Sequence, residues 1–265
     1  MASGRWFVLA AGFAVACHGA VRLMSWQDYA TQSHRWPYVI QVLGERGVLM
    51  YFGAEHTSDP NDLQVVQLEK LWDDFRPARA FNEGGDPPVA PSRDDAVRQY
   101  GEAGFVRWLA ARDGVPVASM DLPRDAQAKA LREKWPSETV KMFLVARALL
   151  PCENRADCDP VAEIARILPI IDAATGFRSS PNDWFQFQRG LANLSPRTSQ
   201  RHADWFDPTQ SGHVFNEMAR RVEDARDRDM IDVLVRAIRA GQRVFAVAGG
   251  SHVVRQERPL RAEFD

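Results

Sequence analysis

The chain has 265 residues, 45% of them apolar and 26% charged, the proportions of an ordinary globular protein. That length suits one large domain, or one domain with a subdomain. A formal net charge of −2 carries no general attraction to nucleic acid or to an anionic membrane, so nucleic acid is not an expected partner.

Arg5 precedes an apolar run over 6–16 that is too short to span a membrane and suits a signal-peptide core. It closes in Ala14-Val15-Ala16, a small-x-small pattern, so 1–16 is expected to be a signal removed on export. Cys17 follows directly, which also admits a lipoprotein signal and a lipid anchor to a membrane. The expected location is therefore periplasmic, lipid-anchored or secreted. The mature domain is expected to cover 17–265.

Residues 18–46 are mixed and aromatic (Trp26, Tyr29, Trp36, Tyr38) and are expected to wrap the outside of the domain. Then comes Gly47-Val48-Leu49-Met50-Tyr51-Phe52-Gly53-Ala54-Glu55-His56, a short apolar run without helical spacing. It reads as a strand buried on both faces, the kind found in parallel sheets. The turn and N-cap residues of 57–62 lead into a helical pattern of Leu63, Val65, Val66, Leu68, Leu71, Trp72 and Phe75, stopped by Pro77. A second short strand over 79–85 ends in Glu83, and a helix is predicted over 93–112. A third strand over 115–121 ends in Asp121. Strand and helix alternate as in βαβ units, so the fold class is α/β with a mainly parallel central sheet flanked by helices.

The middle, about 122–210, reads as helices and loops and is expected to be a helical insertion. Within it, Cys152 and Cys158 have the spacing to close a small surface loop as a disulfide, in keeping with export. Trp184-Phe185 and Trp205-Phe206 read as core, while His202 and His213 read as surface residues. A long helix is predicted over 214–240. Last, Arg243-Val244-Phe245-Ala246-Val247-Ala248-Gly249-Gly250-Ser251-His252 repeats the first strand's design, before a charged tail expected to be peripheral.

Two strands thus end in Gly-x-x-His. With 17 glycines and 6 histidines, chance alone predicts about 0.4 such spacings. Each glycine is expected to turn the chain sharply off its strand, so that the histidine points back over the carboxyl end of the sheet, where α/β folds bind ligands. Imidazole with carboxylate suits a divalent metal (Zn, Mn or Co) that activates water for hydrolysis. The candidate ligands are His56, His252 and Glu83, with Glu83 alternatively the general base. Asp121 is either an additional ligand or the N-cap of the next helix. Arg226 lies in Arg226-Asp227-Arg228-Asp229, which reads as a self-paired solvated face unless Arg226 reaches the site to hold an oxyanion. No nucleophile elbow, P-loop or Gly-x-Gly-x-x-Gly is present.

In their order and spacing, Gly53-Ala54-Glu55-His56, Glu83, Arg226-Asp227-Arg228-Asp229-Met230 and Gly249-Gly250-Ser251-His252 resemble the TraB/PrgY/GumN/TIKI family. The wider group includes erythromycin-esterase-like and ChaN-like haem-binding proteins. The resemblance spans 47–254 and implies an α/β fold with the motifs gathered at one edge of the sheet. It also implies a metal-dependent, peptidase-like hydrolase using Mn or Co, acting on a peptide or small-molecule substrate. His56, Glu83 and His252 would form its core, with Arg226 at the motif's arginine. The alternative is a non-catalytic haem- or peptide-binding protein, with Tyr51 as a candidate axial residue. Two positions depart from the pattern: Ala54 stands where the motif has Thr, and Asp227 where it has Asn.

Overall fold

The computed structural model describes residues 22–153, 158–178 and 202–265. The expected signal at 1–16, Cys17 and Trp184-Phe185 lie outside these, as do the side chains of Cys152 and His202. Among the described residues no helix is long and apolar enough to cross a membrane.

In chain order the elements are α1 (Trp26–Thr31), β1 (Tyr38–Leu43), β2 (Val48–Ala54), α2 (Leu63–Phe75), β3 (Arg79–Asn82), α3 (Arg93–Asp113) and β4 (Val117–Ser119). Then come α4 (Arg124–Arg132), α5 (Ser137–Glu153), α6 (Pro160–Thr175), α7 (His202–Phe206), α8 (Val214–Arg239), β5 (Arg243–Gly249) and α9 (Gly250–Ala262). The strands form one sheet in the order β1-β2-β5-β3-β4. All neighbouring pairs are parallel except β1, which runs antiparallel to β2. The expected α/β fold, its mainly parallel sheet and the helical run in the middle of the chain are all present.

β5 lies at the centre and has two dry faces because its pleat sends successive apolar side chains to opposite sides. Val244, Ala246 and Ala248 pack with Met230, Leu234 and Ile238 of α8 and with Val253 and Leu260 of α9. Phe245 and Val247 pack with Leu68, Trp72 and Phe75 of α2 and with Phe105 and Leu109 of α3. Between β4 and α8 the described residues are helical, with a separate core that includes Leu131, Phe143, Ile167, Trp205 and Phe215.

Three expectations are corrected. Part of 18–46 is not a wrapping but the edge strand β1: Ile40 and Val42 are buried while Gln41 and Leu43 are exposed, the alternation of a half-covered strand. The tail after Val254 is not peripheral, because α9 buries Val254, Arg255, Gln256, Pro259 and Leu260. His213 is buried, not superficial: its Nδ1 accepts the Phe215 N–H at 3.1 Å and caps α8, while its own N–H donates to Asn216 at 3.1 Å.

Candidate functional site

The carboxyl ends of the parallel strands carry the residues singled out above. His56 follows β2, Glu83 follows β3, Asp121 follows β4, and His252 lies in the first turn of α9 after β5. Because β5 runs between β2 and β3, Gly249 sits between His56 and Glu83. A Cβ at Gly249 would lie 3.1 Å from His56 Nε2 and 3.5 Å from Glu83 Oε2, so both side chains converge on its bare α-carbon. Its φ of −56° is ordinary, and so the glycine serves close approach rather than the expected sharp turn. Gly53 acts the same way, since a Cβ there would meet the Gly250 Cα at 3.0 Å.

His56 and Glu83 border a cleft of about 300 Å³, with Pro87, Tyr100, Glu102 and Ala103 on its other walls. The His56 side chain is 74% exposed, whereas Glu102 behind it is only 8% exposed. Nδ1 of His56 lies 3.4 Å from Glu102 Oε2, and Glu102 Oε1 accepts the Thr57 N–H at 2.7 Å. Hydrogen bonding to Glu102 is the main cause that raises the His56 pKa. With Nδ1 turned to that carboxylate, Nε2 is left to the cleft. Glu102 was not a sequence candidate. It reaches His56 because α3 breaks at Gly101, whose φ of 58° and ψ of −148° no other residue adopts readily. The two glycines of Tyr100-Gly101-Glu102-Ala103-Gly104 inside a helical pattern were the available signal.

Below the cleft lies an ionic cluster built around Arg226, which is 7% exposed. Nη2 donates to Glu83 Oε1 at 2.5 Å, Nη1 to Glu223 Oε2 at 2.6 Å, and Nε to Asp121 Oδ1 at 2.7 Å. His252 stands beside it, with Nε2 3.4 Å from both Glu83 and Glu223 and Nδ1 2.6 Å from Asp227 Oδ1. Asp227 also accepts from Arg255 and from Gln256, and Glu223 from Arg147. Five carboxylates (Glu83, Asp121, Glu223, Asp224, Asp227) thus meet four cations (Arg147, Arg226, Arg255 and protonated His252). Burial alone would lower the His252 pKa, but Glu83 and Asp227 outweigh it and push the ring up to about 10. Burial likewise opposes ionisation of Glu83, yet His252 and Arg226 hold its carboxyl well below the usual range.

This geometry corrects several expectations. Arg226 is not part of a solvated face: it is buried, and four of its five N–H donors go to three carboxylates. Asp121 does not cap the next helix; it accepts from Arg226, and the N-cap of α4 is Pro123. The expected metal set does not fit a divalent ion. Both Glu83 oxygens are engaged, one by Arg226 and the other by the Gly249 N–H at 2.7 Å. Glu83 and Asp227 favour the protonated form of His252, and a metal would have to displace that proton to bind the ring. Among the described residues no three His, Cys, Asp or Glu side chains are grouped to hold a metal ion. The guanidinium of Arg226 lies 2.5 Å from Glu83 Oε1 and 3.4 Å from His252 Nε2. Tyr51 is fully buried and donates to Gln256 Oε1 at 3.1 Å, so it opens to no cleft that a haem could enter. Cys158 is disulfide-bonded.

Compared with protein-family models, with curated proteins and with solved structures, the chain has no match in any of the three.

Proposed function

We propose that this chain is an exported hydrolase that cleaves an ester or peptide bond with His56 as general base and without a bound metal. The observation that carries the reading is the convergence of His56 Nε2 and Glu83 Oε2 over Gly249 in an open cleft, with Glu102 behind Nδ1. An imidazole that faces a cleft, with its second nitrogen oriented by a buried carboxylate, is the arrangement general-base chemistry needs. The resemblance to the TIKI and erythromycin-esterase-like group supports hydrolysis as the reaction class. The oxidised state of Cys158 agrees with an exported protein.

His56 Nε2 takes the proton from a water molecule, and the water oxygen attacks the carbonyl carbon. Glu102 holds the Nδ1 proton and stabilises the imidazolium that forms. The same proton then returns to the departing alkoxide or amine as the carbon–leaving-group bond breaks. Glu83 is too weak a base to compete, because His252 and Arg226 keep it ionised. Its Oε2, which already accepts the Gly249 N–H, borders the cleft beside His56 and accepts a further hydrogen bond from the attacking water. The Arg226 cluster holds Glu83 still, so this orientation needs no rearrangement during the reaction. The amino end of α9, where no side chain caps the first turn, adds positive potential beside the developing oxyanion.

The test is hydrolysis of 4-nitrophenyl esters and of a peptide library by protein prepared with and without EDTA. Equal activity in both preparations is expected, with a loss of about 10²- to 10⁴-fold in kcat for His56→Ala. Full activity in folded His56→Ala sinks the mechanism. Activity that disappears with EDTA and returns with Mn, Co or Zn sinks its metal-free form.

A further inference from the structure

We infer that the cleft accepts an uncharged or cationic acyl group seated against Tyr100 and rejects an anionic one. This rests on the hydrolase reading above and adds the substrate class. Among the described residues that line the cleft there is no lysine or arginine, while Glu83 and Glu102 are both present. Neither Arg226 nor Arg107 lines the cleft. Arg226 is buried among three carboxylates, and Arg107 donates to Asp86 at 2.6 Å and to Asn82 at 3.3 Å.

The two acids differ in a way that decides the sign. The charge of Glu83 is balanced beneath the cleft by Arg226 and His252. Glu102 has no such partner when His56 is neutral, which is the form that acts as base; its contacts are then the Thr57 N–H and the imidazole. In its working state the cleft therefore carries one uncompensated negative charge, 8% exposed and so poorly screened by solvent. A substrate carboxylate would meet that charge and find no guanidinium or ammonium to receive it. An ammonium would be attracted to Glu102 and to the face of the Tyr100 ring.

The lining also includes the apolar residues Pro87, Ala103, Val247 and Ala248 together with Tyr100. The break at Gly101 that turns Glu102 toward His56 also sets the residue before it, Tyr100, on the cleft wall. One backbone feature thus places both the residue that orients the base and the ring that seats the substrate.

Binding and turnover are measured separately. Wild-type protein is titrated calorimetrically with three N-methylamides of similar length, each checked by chromatography to be intact after the titration: butyramide, 4-(trimethylammonio)butyramide and succinamate. The 4-nitrophenyl esters of the same three acyl groups are assayed for kcat/KM. The neutral and cationic amides are expected to bind at least tenfold more tightly than the succinamate. Tyr100→Ala should weaken both, and Tyr100→Phe, which keeps the ring, should not. Glu102→Gln should narrow the gap between the cationic and anionic amides. Succinamate binding as tightly as butyramide overturns the inference, as does the absence of saturation by any amide, or an unchanged series in Tyr100→Ala protein that circular dichroism shows to be folded. If the amides bind in the expected order and no ester is turned over, the hydrolase reading fails and the charge preference stands.

Discussion

At the scale of single residues, what His56 and Arg226 do is decided by what sits behind them. His56 has Glu102 at Nδ1, which raises its pKa above that of free imidazole, about 6.5. A general base works only when unprotonated, so kcat/KM should fall as pH drops through that raised value. In Glu102→Gln the acidic limb should move to lower pH and the plateau should also drop, because the ring loses its orienting partner. A pH–rate profile checks both effects; a limb that stays put means Glu102 does not act through His56. Arg226 holds three carboxylates in one buried place. Arg226→Ala leaves them facing each other, and removing one partner of a buried ion pair costs about 3–5 kcal/mol. Urea denaturation should register that loss, whereas a loss below about 1 kcal/mol would make Arg226 a weakly coupled surface-like charge. Asp227 is fully buried, and Arg255 and His252 lie directly against it, so its charge is met by cations.

At the scale of elements, the break in α3 matters most. A continuous helix over 93–113 would carry Tyr100 and Glu102 on a regular spiral, roughly 200° apart around the axis. The Gly101 conformation interrupts that spiral and lets the Glu102 carboxylate reach the Thr57 N–H and the His56 ring. Gly101→Ala puts a side chain into a region open in practice only to glycine, at a cost of about 1–3 kcal/mol. Its Cβ would also press on the Thr57 carbonyl oxygen at 3.3 Å. The expected result is a lower melting temperature together with a fall in kcat resembling that of Glu102→Gln. A variant that loses stability and keeps full activity would separate the break from the site. The strand β5 works differently. It is rigid and dry on both faces, so Gly249 at its end is a fixed floor on which His56 and Glu83 can close.

At the scale of the whole molecule, the ionic cluster couples stability to pH. The folded pKa of His252 is about 10 and the unfolded value about 6.5. Its contribution is fully present below about pH 6.5 and is lost as pH rises through about 10. Across that window the folded state keeps a proton that the unfolded state has lost, a slope of about 1.4 kcal/mol per pH unit. Glu223 behaves oppositely. Burial opposes its ionisation, but Arg147, Arg226 and His252 hold it at about 2. Its contribution is present above the usual carboxylate range and is lost as pH falls toward 2. Stability should therefore be greatest in mildly acidic solution and decline steadily between about pH 6.5 and 10. The urea midpoint measured across that interval tests this, and Asp227→Asn should flatten the decline. A midpoint unchanged from pH 6.5 to 10 would mean that His252 is neutral in the folded protein.

Much of this architecture was legible along the chain, because local patterns follow local physics. Unbroken apolar runs such as 48–54 and 243–249 suit only strands dry on both faces, and the spacing of Leu68, Leu71, Trp72 and Phe75 suits only a helix with one buried stripe. The glycines before His56 and His252 stood out in the sequence, although their purpose is close packing rather than turning. β1 and α9 were missed because an edge strand needs only two buried residues, and because α9 buries Arg255 and Gln256 where a local reading puts solvent. The chemistry was set by contacts between residues far apart in sequence. Glu102 is 46 positions from His56, and Arg226 is 143 from Glu83. Charges that look solvated on their own helices become one paired network only when β5 slots between β2 and β3. Composition and periodicity decide which face of an element is buried, but the cost of burying a charge depends on its partners, and only the tertiary structure brings those together.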